Sequence, residues 1–184
     1  RLKQKMIFLS FCNSKKDIFD LRNIYGYPVA IIAKIESATA IKYLEEICKY
    51  SDGILIDRGD LSRDVPLEKI PFAQSYIIDT AKKYSTPVYI ATNLMDSMLT
   101  NSKPNRAEVS DIVQSLEYGV NGLVLAAETA IGEFPVECVR IMDRIINEYN
   151  VLVNKKNKIF IVKELLKPST DKIIKPHGGV LIQQ

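Results

Sequence analysis

The sequence predicts an α/β fold of the (β/α)8 barrel type (TIM barrel), present here as a partial barrel of about five βα units, and three observations predict it. Five short apolar runs rich in β-branched residues recur along the chain, each followed by an amphipathic stretch. The runs are apolar on both faces, as strands of a parallel sheet covered on both sides have to be. Polar and charged residues gather just after the strand cores: Lys34 and Glu36, Arg58 to Asp60, Thr92 and Asn93, Glu128 and Thr129. Convergence of several strand ends on one face is how barrel sites are built. An open doubly wound sheet would satisfy the first two observations, but no glycine-rich dinucleotide fingerprint follows any strand.

The first strand is expected around Met6 to Leu9, followed by a helix capped by Ser14 and running through Leu21. Val29 to Ile32 then leads into the amphipathic stretch Ser37 to Tyr50, and Gly53 to Ile56 into Phe72 to Tyr84. Pro87 to Ile90 is followed by Arg106 to Tyr118, and Gly122 to Leu125 by Pro135 to Tyr149. From about Val151 the pattern changes to Asn154-Lys155-Lys156-Asn157-Lys158, a short apolar run Ile159 to Val162 and a polar tail after Pro168. The expected organisation is a barrel segment over residues 1–150, with 151–184 a linker, a tail or the start of another domain.

A chain of 184 residues with 47% apolar content can bury a core of its own. A net charge of +3, spread along the length, points to neither nucleic acid nor an anionic membrane as partner. Cys12, Cys48 and Cys138 are odd in number and lack metal-ligand spacing, so reduced thiols and a cytoplasmic setting are expected. No apolar run approaches the roughly 20 residues that cross a bilayer.

Lys34 and Glu36 stand two apart at a strand end, so both side chains point to one face. A barrel would aim them at its opening; a structural ion pair at a strand terminus fits the spacing equally well. Gly59 would let backbone amides approach an anion closely, and Asp60 offers a hard oxygen ligand, although the segment also reads as an ordinary charged loop before Pro66. Thr92 places a hydroxyl at the fourth strand end, where turn and cap roles are common. Arg106 and Glu108 read as first-turn surface charges, and Glu128 as an acceptor behind a site.

Taken in order, Phe8-Leu9-Ser10-Phe11, Ile32-Ala33-Lys34-Ile35-Glu36, Ser51-Asp52-Gly53-Ile54, Arg58-Gly59-Asp60-Leu61, Ala91-Thr92, Ser97-Met98, Arg106-Ala107-Glu108 with Ser110-Asp111, and Glu128-Thr129-Ala130 with Gly132 and Pro135 resemble the barrel of pyruvate kinases. The resemblance runs from about Ile7 to Tyr149. It implies transfer of the phosphoryl group of phosphoenolpyruvate to ADP, giving pyruvate and ATP, with Mg²⁺ (or Mn²⁺) and usually K⁺. It implies Lys34 as the phosphoryl-binding charge and Glu36 and Asp60 as metal ligands. It also implies that amides around Gly59 and Asp60 hold the substrate carboxylate, and that Thr92 positions the substrate. Physically the set suits a reaction dominated by positioning and charge neutralisation.

Departures from the family pattern are Asp57 for a usual alanine, Asn93 for glutamine, Asn105 for threonine, Gln114 for asparagine, and Ala126 for a serine linked to the proton relay. By this alignment the chain starts at the fourth barrel strand, so the K⁺ ligands are not expected in it. Five strands do not close an eight-stranded barrel, and on its own such a chain is expected to be inactive and to associate, as a homo-oligomer, through exposed sheet edges. The alternative to an enzyme segment is a catalytically inactive binding or scaffolding domain, with membership of a fusion protein left open. A Mg²⁺-dependent lyase or aldolase of a related barrel lacks matching motifs. In the tail, Pro176-His177-Gly178-Gly179 weakly resembles the start of ATP sulfurylases, and reads at least as well as a solvated turn.

Overall fold

A computed structural model describes residues 4–153 and 180–182. The run Ile159 to Val162 and the Pro176-His177-Gly178-Gly179 tail lie outside the described residues. Five parallel strands follow one another in sequence order: β1 (Met6–Leu9), β2 (Ala30–Ile35), β3 (Gly53–Asp57), β4 (Val88–Ala91) and β5 (Gly122–Leu125). Helices alternate with them: α1 (Lys15–Tyr25), α2 (Ala38–Lys42), α3 (Leu44–Tyr50), α4 (Arg58–Leu61), α5 (Ile70–Lys83), α6 (Arg106–Glu117), α7 (Ala127–Ala130) and α8 (Pro135–Val153). Val180–Ile182 forms a sixth strand, β6. The architecture is the partial (β/α) barrel type that the strand periodicity and strand-end charges predict.

The chain divides into two compact units, one comprising Arg1–Asn93 with Tyr118–Val124, the other Leu94–Glu117 with Leu125–Gln184. In the first, every residue of β3 and five of six in β2 are buried, which is why these strands carry near-continuous Ile, Leu and Ala rather than an alternating pattern. Register follows from this packing: Ile32 pairs with Gly53 and Ala33 with Ile54 across β2 and β3, and Ile54 with Val88 and Asp57 with Ala91 across β3 and β4. Gly53 makes room for its neighbour: a Cβ there would lie 2.7 Å from the Ile32 Cδ1 atom, and the end of that side chain would have to shift. In the second unit, α8 buries Cys138, Ile141 and Met142, and α6 buries Ile112 and Ser115.

Local chemistry accounts for most helix limits. Ser14 caps α1 with Asp17 accepting its backbone N–H at 2.9 Å, and the helix runs one turn beyond Leu21. The stretch Ser37 to Tyr50 divides into α2 and α3 at Tyr43, whose φ of −106° and ψ of 20° break the regular turn. Pro135 opens α8 at its first position, where the missing N–H costs no helical hydrogen bond. All three cysteines are buried and free, and burial is the main cause that pushes each thiol up to about 12. Among the described residues no helix is long and apolar enough to cross a membrane.

Candidate active site at the strand ends

The C-terminal ends of β2, β3 and β4 bring four charged groups together in the first unit. Lys34 and Glu36, two apart on β2 and just beyond it, form an ion pair of 2.6 Å, with Lys34 5% and Glu36 2% exposed. From β3, Asp57 approaches the same ammonium at 3.0 Å through Oδ2. Asp60 follows on the single turn α4, and its carboxylate, with those of Glu36 and Asp57, offers oxygens that all lie within 4.8 Å of one another. Asp60 also pairs with the exposed Arg63 at 3.2 Å.

Burial alone would depress the pKa of Lys34, but the carboxylates of Glu36 and Asp57 outweigh it and hold the ammonium above the ordinary lysine value. Lys34 is therefore charged at neutral pH. Glu36 is placed by the Phe11 N–H, which donates to its Oε2 atom. Its other oxygen, Oε1, is buried and touches the Lys34 ammonium as an ion pair, yet accepts no hydrogen bond of good geometry among the described residues. A buried carboxylate oxygen with spare acceptor capacity, beside two more carboxylates, is a donor set suited to a hard divalent cation. The residues present thus fit Mg²⁺ or Mn²⁺.

Thr92 follows β4 with φ of 65°, and Asn93 continues the left-handed conformation at 55°. For a β-branched residue this is a strained backbone, and it needs an external hold. Arg58 supplies one: its Nε and Nη2 donate to the Thr92 carbonyl at 3.2 and 3.0 Å, and Nη2 also donates to the Asn93 carbonyl at 3.0 Å. The turn aims the Thr92 hydroxyl inward, where it accepts the Gly59 N–H at 2.8 Å and lies 3.1 Å from Asp57 Oδ1. Gly59 comes close enough that a Cβ would stand 3.4 Å from both Thr92 Oγ1 and Asn93 Oδ1.

Sequence reasoning singled out Lys34, Glu36, Gly59, Asp60 and Thr92, and the structure brings all five into one cluster at the ends of three adjacent strands. Within the chain the Gly59 N–H donates to the Thr92 hydroxyl and the Asp60 N–H to Asp57 Oδ1 at 3.4 Å. Asp57 is the residue the sequence reading passed over, noted only as a departure from alanine. Its signal was an acid ending an otherwise apolar strand, Ile54-Leu55-Ile56-Asp57. Asp52, at the opposite end of β3, is structural: it accepts the Ile31 N–H at 2.9 Å and pairs with Arg22 at 3.0 Å.

In the second unit, Glu128 is 1% exposed and accepts backbone N–H groups from Met95 at 3.0 Å and Ala126 at 2.8 Å. Ala126, which precedes α7, carries no hydroxyl, so it contributes only backbone groups there. Glu108, expected as a surface charge, is half-buried instead. It accepts from the Ser97 N–H at 2.7 Å, the Ser97 hydroxyl at 2.5 Å and the Asn105 N–H at 2.8 Å.

A family model, the pyruvate kinase barrel domain, matches residues 1–139. The chain belongs to the pyruvate kinase family. It is 40% identical over 143 residues to a pyruvate kinase of Thermotoga maritima, covering 76% of this chain and 31% of that protein. It is also 40% identical over 161 residues to one of Borreliella burgdorferi, covering 85% of this chain and 33% of that protein. Among solved structures, a pyruvate kinase from Pyrobaculum aerophilum superposes with a TM-score of 0.75 at 34% identity, covering 78% of this chain and 35% of the other. The chain spans about a third of the length of these relatives.

Proposed function

We propose that this chain carries the phosphoryl-donor site of a pyruvate kinase, acting on phosphoenolpyruvate with ADP as acceptor. The observation that carries the reading is the buried, charged Lys34 ammonium paired with Glu36, whose carboxylate lies beside that of Asp60, at the strand ends of a chain of this family. In this reading Lys34 places a compact positive charge against the oxygens of the transferring group, where charge develops. Glu36 and Asp60 hold Mg²⁺ or Mn²⁺, which when bound supplies further positive charge for those oxygens. Thr92, held inward by Arg58, orients the substrate beside Gly59 and Asp60. Desolvation around Lys34 and Glu36 strengthens each of these contacts relative to water. K⁺, cytoplasmic localisation and self-association through sheet edges belong to the same proposal.

A second reading, a binding domain without turnover, is favoured by Asp57 against Lys34 and by the absence of a hydroxyl at Ala126. Calorimetric titration with oxalate or phosphoenolpyruvate tests the shared core of both readings. Binding is expected only with Mg²⁺ and is lost in Glu36→Gln and in Asp60→Asn. Cation-independent binding that survives both substitutions would sink the assignment of these two acids.

A further inference from the structure

Three groups that this site would offer to an anionic ligand already meet one carboxylate of the chain itself. Asp57 receives the Lys34 ammonium at 3.0 Å and the Asp60 N–H at 3.4 Å, and lies 3.1 Å from the Thr92 hydroxyl. A fourth donor, the Gly59 N–H, is engaged by Thr92. The Asp57 side chain is only 5% exposed, so these contacts are made largely out of water. An alanine at this position would leave the Asp60 N–H without this acceptor and the Lys34 ammonium with Glu36 alone, while the Thr92 hydroxyl keeps the Ala91 carbonyl at 2.6 Å.

We propose that Asp57 is an internal competitor, a positioning residue whose carboxylate occupies the anion-binding groups of Lys34 and Asp60 and thereby makes anion binding depend on a divalent cation. The inference rests on the reading of the Lys34 cluster as the ligand site. A tethered carboxylate acts at a high effective concentration, and a free anion has to displace it. Displacement costs more than the lost contact, because Asp57 is then left buried beside Glu36 with its countercharge shared. Lys34 is shared between two carboxylates, Glu36 and Asp57, while the third, Asp60, is paired with the exposed Arg63, so a free anion competes with both partners of the ammonium. A cation held by the same carboxylates shifts that competition. Lys34 is then released to the ligand while Asp57 keeps a positive partner.

Inorganic phosphate, titrated calorimetrically into the whole 184-residue chain with and without Mg²⁺, tests the inference in Asp57→Ala and Asp57→Asn. Without Mg²⁺ both variants are expected to bind phosphate about tenfold tighter than the parent chain, the size of one relieved charge-assisted contact. With Mg²⁺ the gap is expected to close. The asparagine keeps an acceptor for Thr92 and the Asp60 amide but no charge, so a merely structural role for Asp57 would leave Asp57→Asn like the parent. Equal phosphate affinity in parent and both variants, or no uptake by either variant, overturns the inference. Lys34→Met separates the two levels. If it abolishes phosphate binding while the Asp57 variants match the parent, only this inference fails. If it leaves binding intact, the reading of the site fails with it.

Discussion

The two units bury acidic side chains by different means. In the second, Glu128 and Glu108 are saturated by backbone: Met95 and Ala126 amides serve the first, and Ser97 and Asn105 amides with the Ser97 hydroxyl serve the second. Glu128 ties Met95, 33 residues away in sequence, to Ala126, and Glu108 ties Ser97 to Asn105. In the first unit, Glu36 and Asp57 share one ammonium with Asp60 close by, and Glu36 Oε1 keeps acceptor capacity unused. Saturated carboxylates stabilise a fold whatever the solution contains. A cluster of carboxylates with a spare lone pair on a buried oxygen is stabilised further by what binds it.

The largest effect that would break this contrast is expected at Lys34. Lys34→Met leaves buried carboxylates without their cation and should cost about 3–5 kcal/mol in urea denaturation at neutral pH, part of it recovered by Mg²⁺. A loss under about 1 kcal/mol would mean that the pair contributes no more than an exposed one. The pH dependence carries a definite sign. Since the fold raises the Lys34 pKa, its contribution is complete below the ordinary lysine value and lost as pH rises through the folded one. The difference between parent and variant should therefore stay constant across neutral pH and close only in the alkaline range, above about 10.4.

Next in size is the response to the cation itself. At a hundredfold excess over its dissociation constant, Mg²⁺ should stabilise the parent chain by about 2.7 kcal/mol. Differential scanning calorimetry of Glu36→Gln should show that response abolished, while Glu128→Ala should retain it in full. Glu128→Ala has its own cost, about 1–3 kcal/mol for two buried amides left without an acceptor, and no amount of Mg²⁺ should reduce it. A cation-sensitive Glu128→Ala would erase the distinction between saturated and unsaturated acids.

Why the strands and the clustering of the five candidate residues were legible, and the rest was not, follows from the range of the interactions. Strand periodicity is local, so β1 and β5 match their expected limits, and β2 to β4 differ by one to three residues, β2 and β3 by taking Lys34 and Asp57 into the sheet. Lys34 and Glu36 are fixed on one face by the two-residue repeat alone. Asp57 is different: its partners come from β2, from its own turn and from the residue after β4, and only the β2–β3 and β3–β4 registers bring them together. The left-handed turn at Thr92 runs against the preference of a β-branched residue and is held by Arg58, 34 residues away in sequence. Propensity could not have found it.

Glu108 shows the same limit at short range and gives the smallest of the expected effects. As a residue in the first turn of α6 it read as a surface charge, but Asn105 Oδ1 accepts the Glu108 N–H at 3.0 Å while Glu108 Oε2 accepts the Asn105 N–H at 2.8 Å. This reciprocal pair is a capping box with asparagine in the capping position. Asn105→Ala removes one half of it and should cost about 1 kcal/mol by urea denaturation. Glu108→Ala removes the other half together with both Ser97 contacts, so it should cost more than Asn105→Ala, and Glu108→Gln, which keeps an acceptor, should cost less than Glu108→Ala. None of the three should change with Mg²⁺. If Glu108→Gln proves as damaging as Glu108→Ala, the charge and not the acceptor holds Ser97, and the second unit is then not indifferent to its electrostatic surroundings in the way its saturated carboxylates imply.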